Sequence, residues 1–254
     1  MSSSGPGNFN FDARTLEELS NERAINHRDV FSNIGRYMIK TGYHTWGFVV
    51  YRCTYDDDDL WNRYLTQLKQ FCHEELVKGR RAELLEKYLD WVVIEDRANL
   101  DNASKSDVRR HFDGWVSEQG LVEPPSGAFP RPNVTKLPRF RFCLYVDKAC
   151  LETVIQFQEA DPGHPLLRSL LPAMVIVVLD RAWTPDQTHG NVTMNDGGYP
   201  LIDGCDRKYV GCKYMNAFFT AGTYNDLHAV ELDDWQDYLR PPAIGPLGKI
   251  SMPS

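Results

Sequence analysis

The chain has 254 residues, with 28 Lys and Arg against 35 Asp and Glu, a formal charge of −7. Hydrophobic residues make up 42% and charged residues 25%, which excludes wholesale disorder, collagen and coiled coil. The acidic balance argues against broad electrostatic binding to nucleic acid and leaves room only for a local basic patch.

Residues 1–10 are rich in Ser, Gly, Pro and Asn and predict a disordered N-terminus. Residues 11–254 then read as a single domain. The first residues carry neither a basic run nor an apolar one, so no signal peptide is expected. The longest apolar run, Met174 to Leu179, falls far short of the roughly 20 residues of a membrane-spanning helix. Six cysteines, at 53, 72, 143, 150, 205 and 212, show no CxxC and no zinc-type pairing with His. They read as reduced thiols in a cytoplasmic protein. The sequons at Asn133 and Asn191 are then chance matches.

Residues 12–40 look helical, with Leu16, Leu19, Ile25, Val30, Ile34 and Met38 as apolar positions, and Gly42 as the stop. Trp46 to Cys53 is apolar and β-prone, a strand. Asp56–Asp59 invites a metal reading, but acids favour a helix N-terminus. Leu60, Trp61, Tyr64, Leu65, Leu68, Phe71 and Cys72 follow at helical spacing. Leu84 to Tyr88 predicts a helical turn and Trp91 to Ile94 a short buried strand. Ser104 with Asp107 resembles a capping pattern, opening a helix whose apolar face is Val108, Phe112, Trp115 and Val116. Gly120 to Pro138 reads as a long loop.

Arg139 to Asp147 alternates, with Phe140, Phe142, Leu144 and Val146 on one face and Arg139, Arg141, Cys143 and Tyr145 on the other. This predicts a period-two strand. Lys148 to Phe157 is a short helix, and Ala173 to Leu179 a central, fully apolar strand. Asp186 to Asp206 is turn-rich. Tyr209 to Phe219 predicts a further strand, and Asn225 to Leu239 a helix that Arg240-Pro-Pro ends. Strands alternate with helices, so the fold class is α/β or α+β: a mixed sheet with helices packed on it, in a single compact unit.

Four acids fall within Glu231-Leu-Asp233-Asp234-Trp-Gln-Asp237. On a helix, Asp233 and Asp237 share a face. DDxxD is the diphosphate-binding pattern of terpene synthases, but their second metal-binding pattern is missing and they are all-helical. Paired carboxylates also move a proton or clamp a guanidinium. The plain alternative is an exposed acidic face. Among the basic residues, Arg80 and Arg81 follow a glycine in a predicted loop, and Arg139 and Arg141 share the predicted strand face. Cys53 lacks a nearby activating base, and the sequence has no GxSxG, GxxxxGK[ST] or GxGxxG.

The chain resembles a fungal family of arginine-containing cyclodipeptide synthases. The resemblance spans about residues 45–245. It is carried by Trp46-Gly-Phe-Val-Val-Tyr-Arg52, by Asp101 to Arg109 with Phe112, Trp115 and Val116, and by Tyr145-Val-Asp147. Gly198-Tyr-Pro200, Gly204-Cys205, Asp233-Asp234-Trp235 and Tyr238-Leu-Arg-Pro-Pro242 complete it. A DDxxE motif is important for activity in that family, and Asp233-Asp234-Trp-Gln-Asp237 matches it with a last carboxylate one methylene shorter.

The resemblance implies a transferase that joins the arginyl group of Arg-tRNA to a second aminoacyl-tRNA as a 2,5-diketopiperazine. It implies no cofactor, metal, membrane or stable protein partner. Asp233, Asp234 and Asp237 would be catalytic, and Arg80, Arg81, Arg139 and Arg141 would contact tRNA. Two other classes stay open: a non-catalytic interaction protein, and a Mg²⁺-dependent transferase using the DDxxD carboxylates.

Overall fold

A computed structural model describes residues 13–20, 30–121, 133–160, 172–185, 197–233 and 238–245. Within them, six strands form one mixed sheet: β1 (Val49–Arg52), β2 (Val92–Ile94), β3 (Phe142–Val146), β4 (Val175–Asp180), β5 (Cys212–Asn216) and β6 (Ile244–Gly245). Their order is β2-β1-β3-β4-β5-β6. β1 pairs parallel with β2 and with β3, β4 runs antiparallel to β3 and β5, and β6 is parallel to β5. The fold is thus α/β with a mixed sheet in one compact unit.

Among the described residues, two helices precede β1: α1 (Leu16–Ser20) and α2 (Ser32–Thr41). Parallel neighbours need long crossovers. Helices α3 (Asp58–Lys78) and α4 (Ala82–Leu85) make the first, from β1 to β2. Helices α5 (Arg97–Leu100), α6 (Lys105–Glu118) and α7 (Pro138–Arg141) belong to the second, from β2 to β3. Helix α8 (Lys148–Ala160) follows β3, and α9 (Thr220–Asp226) follows β5.

Local signals act where the sequence puts them. Gly42 ends α2 at φ 72°, a left-handed position that glycine takes without steric cost. In the acidic run, Asp57 is the N-cap of α3, its carboxylate accepting the Leu60 N–H at 2.7 Å. Ser104 and Asp107 form a reciprocal capping box at α6: the Asp107 N–H donates to Ser104 Oγ, and the Ser104 N–H to Asp107 Oδ2, each at 3.2 Å. Replacing Ser104 with Ala should cost about 1 kcal/mol, read as a lower midpoint in thermal denaturation.

β1, β3, β4 and β5 are buried along their whole length, with helices on both faces, while β2 at the sheet edge is half-buried. The α3 face is tied to the start of β4 by two bonds. The Tyr64 hydroxyl donates to the Val175 carbonyl at 2.6 Å, and Thr153 Oγ1 of α8 accepts the Val175 N–H at 2.8 Å. All six cysteines are buried and unpaired with one another.

Two expectations are corrected. The strand predicted from Arg139 starts at Phe142, and Arg139 to Arg141 lie on α7. Pro138 at the first helical position pre-sets φ for one turn of helix, so the arginines do not share a strand face. Cys143 and Tyr145, on the face expected to hold the arginines, are buried. The helix predicted over 225–239 is not continued through the described residues 227–233: α9 ends at Asp226 and the chain turns. Tertiary contacts decide this. The Asn225 side-chain oxygen accepts the N–H groups of Asn33 and Ile34 at 2.9 and 3.4 Å, capping α2, and Leu232 then enters the core. Predicted features in 1–12, 21–29, 122–132, 161–171, 186–196 and 234–237 lie outside the described residues.

Candidate functional site

Asp233 is half-buried in a turn beyond α9. Asp234 and Asp237 lie outside the described residues, and the shared helix face expected for Asp233 and Asp237 is not present at Asp233. What Asp233 does meet is a buried polar network at the end of β4. The Tyr209 hydroxyl donates to Asp180 Oδ2 at 2.9 Å, and Asp180 Oδ1 accepts the Ala182 N–H at 3.0 Å. Arg109 of α6 donates from Nε to the Asp180 carbonyl at 3.0 Å and from Nη2 to the Gly211 carbonyl at 2.9 Å. Its guanidinium lies 4.6 Å over the Trp183 ring.

Gly211 has φ 70°, and a Cβ there would sit 2.3 Å from the Trp183 ring. Only glycine lets the indole close over the arginine. Arg141 forms a two-pronged ion pair with Glu231. The structure therefore brings Arg141, Glu231 and Asp233 to one corner of the sheet. Burial, and then the charges of Asp180 and Asp233, hold the Tyr209 hydroxyl well above its ordinary pKa. Tyr209 stays a neutral hydrogen-bond donor there.

The other proposed tRNA contacts are not gathered in one patch. Arg139 is 3% exposed and donates to the carbonyls of Gly47 and Asp90, both at 3.1 Å, as well as to the Asp90 carboxylate. Its guanidinium serves the interior. Arg81 is also buried, at 2% exposure. Arg80 is exposed, at φ 58°, a strained conformation for a side chain with a Cβ.

Cys53 is buried, which pushes its thiol up to about 12, so it is held in the un-ionised, weakly nucleophilic form. The carboxyl end of β1 beside it is occupied by Arg52, lodged 4.4 Å from the Tyr55 ring and 5.2 Å from the Trp61 ring, and paired with Asp58. Among the described residues, no group of three His, Cys, Asp or Glu side chains is placed to hold a metal ion. No described helix is long and apolar enough to cross a membrane.

Sequence reasoning missed a pocket. A cavity of about 510 Å³ opens between the start of α2, the end of α3 and the segment leading into α9. Its walls include Phe31, Phe218 and Phe219, with Arg80 and Lys78 also lining it and Glu75 as its buried acid. Glu75 Oε2 accepts the Ala221 N–H at 2.7 Å, and Oε1 accepts the Gly222 N–H at 3.3 Å. Burial pushes the Glu75 carboxyl up to about 8 against the pull of those two bonds; Asp226 raises it further and Lys78 lowers it. The available signal was an acid on the apolar stripe of α3, flanked by Phe71, Cys72 and Leu76.

Compared with protein-family models, curated proteins and solved structures, the chain finds no match.

Proposed function

We propose that the chain is an aminoacyl-tRNA-dependent cyclodipeptide synthase, acting in the cytoplasm on Arg-tRNA and a second charged tRNA to form a cyclo(Arg-X) diketopiperazine. The observation that carries the reading is the resemblance over residues 45–245, with Asp233-Asp234-x-x-Asp237 as its acidic motif. The polar surroundings of Asp233 support it: its half-buried carboxylate lies beside a buried Tyr–Asp pair and an Arg–Glu ion pair, and a carboxylate so placed can serve as a base.

In the proposed reaction, the α-amine of one aminoacyl group attacks the ester carbonyl of the other. One ester bond breaks, one amide bond forms, and the amine proton passes through a carboxylate to the departing ribose hydroxyl. The second amine repeats the step within the dipeptidyl ester, closing the ring and freeing the second tRNA. Each ester supplies the driving force for one amide. Asp233, Asp234 and Asp237 are the proposed catalytic carboxylates, handling the amine proton, and Arg80 is the exposed candidate for a phosphate contact.

The test is expression in a bacterial host with its normal tRNA pool and mass spectrometry of the medium. A cyclo(Arg-X) product is expected from the wild type. Asp233→Ala should lose more than about 99% of it, a size of effect typical of removing a catalytic proton-transfer group, while the melting temperature is retained. Soluble wild-type protein without any diketopiperazine, or full yield from Asp233→Ala and Asp234→Ala alike, would overturn the reading.

A further inference from the structure

The Glu75 pocket has the attributes of a small-molecule site. Its volume of about 510 Å³ suits a ligand of amino-acid to dipeptide size. Aromatic side chains wall it, and a single acid is the polar group at its buried end. Each Glu75 oxygen takes one backbone N–H, and a carboxylate oxygen has capacity for a second donor. Two glycines set the close approaches. A Cβ on Gly79 would meet the Phe31 ring at 2.3 Å, and one on Gly222 would meet Glu75 Oε1 at 3.2 Å. The neighbouring Arg80 holds a left-handed backbone, and strain of this kind clusters at binding sites.

We infer that this pocket binds the cationic side chain of an arginyl group, with the guanidinium on the Glu75 carboxylate and its stem against Phe31, Phe218 and Phe219. The chemistry of the donor set selects this ligand. A guanidinium offers two parallel N–H donors to a carboxylate and lies flat on aromatic rings, where an ammonium meets a carboxylate as a point charge. In the free protein the buried acid keeps its proton near neutral pH, and an arriving guanidinium displaces that proton to solvent to form the pair, whereas a neutral side chain leaves the acid protonated and gains no such pair. Lys78 and Arg80, lining the same cavity, suit the electron-rich ester and phosphate end that a tRNA-borne arginyl group carries behind its side chain. The inference rests on the proposed function in naming the arginyl group as the ligand, and it assigns the arginine preference to Glu75.

The test titrates the full chain by calorimetry with L-arginine methyl ester and with L-citrulline methyl ester, the neutral isostere. The arginine ester should bind roughly ten-fold tighter or better, the size expected of a charge-assisted pair. Glu75→Gln should erase that preference while keeping a cooperative melting transition. Equal affinity for the two esters, no binding of the arginine ester, or an undiminished preference in Glu75→Gln would each overturn the inference. If Glu75→Gln fails to fold, Phe219→Asp, on the half-buried wall, replaces it and should weaken both esters. The outcomes separate cleanly from the parent reading. A host that yields no diketopiperazine sinks the function while the titration still scores the pocket; a cyclo(Arg-X) product without ester discrimination sinks the pocket alone.

Discussion

Replacing Arg139 with Ala should cost about 2–4 kcal/mol of folding stability, the size expected for losing the donor to two carbonyls together with the packing of a buried side chain; its Asp90 partner is half-exposed and adds little. The guanidinium is 3% exposed and satisfies the carbonyls of Gly47 and Asp90 in addition to pairing with the Asp90 carboxylate. Truncation leaves those carbonyls without their donor and opens a void beneath Trp115, whose ring lies 5.8 Å from the guanidinium. Urea denaturation is the measurement. Its outcome also decides what Arg139 is for. A phosphate-binding arginine at the surface would change the salt dependence of tRNA binding and leave stability nearly intact; an interior strut does the reverse. A loss under 1 kcal/mol would reject the strut.

The second large effect is a pH dependence set by Glu75. Its carboxyl has an ordinary pKa of 4.5 and is pushed up to about 8 in the fold, chiefly by burial. Between those values the folded chain keeps a proton that the unfolded chain gives up. Stability therefore falls as pH rises through the window from 4.5 to about 8, by about 1.4 kcal/mol per pH unit and on the order of 5 kcal/mol in all. Below the window the acid is neutral in both states and the penalty is absent. Glu75→Gln cannot titrate, so the difference between wild type and variant isolates the contribution. Urea midpoints at pH 5, 6.5 and 8 should fall more steeply for the wild type, with the variant the more stable protein at pH 8. Parallel lines for the two proteins would remove Glu75 as the titrating group.

Features specified within a few residues were legible in the sequence. Gly42 ends its helix, Asp57 caps α3, and Ser104 with Asp107 starts α6, because each is a hydrogen bond or a backbone angle decided by neighbours in the chain. The fully apolar β4 was legible too, since only a strand covered on both faces has that composition. The alternation of Arg139 to Asp147 misled because polarity is only a proxy for burial: Arg139 is polar and buried, its charge answered by Asp90 and by carbonyls far away in the chain. The predicted C-terminal helix misled for a related reason. Its helical propensity lost to the bonds that Asn225 makes to α2 and to the burial of Leu232.

The candidate site was legible only in part. Asp233 and Arg141 stood out by residue type, but nothing local says that Glu231 joins them or that Tyr209 and Asp180 lie beneath. The pocket was invisible, because its walls come from residues near 31, 75 and 218, which only the fold brings together. Glu75 carried a faint mark as an acid among apolar neighbours on α3. That mark shows a buried charge and not the hollow next to it.

The contact between Gly79 and Phe31 bears on how such a pocket can change through descent. Gly79 has φ −78°, an ordinary helical value, so its backbone would accept any L-residue. What forbids a side chain is the Phe31 ring, 2.3 Å from where a Cβ would stand. The two positions are therefore one heritable unit. A lineage that acquires alanine at 79 must first, or together, acquire a smaller residue at 31, and it thereby redraws one wall of the cavity. Altered ligand choice at this place would arrive as a coupled double change, with glycine at 79 as the marker of chains that have kept the aromatic wall.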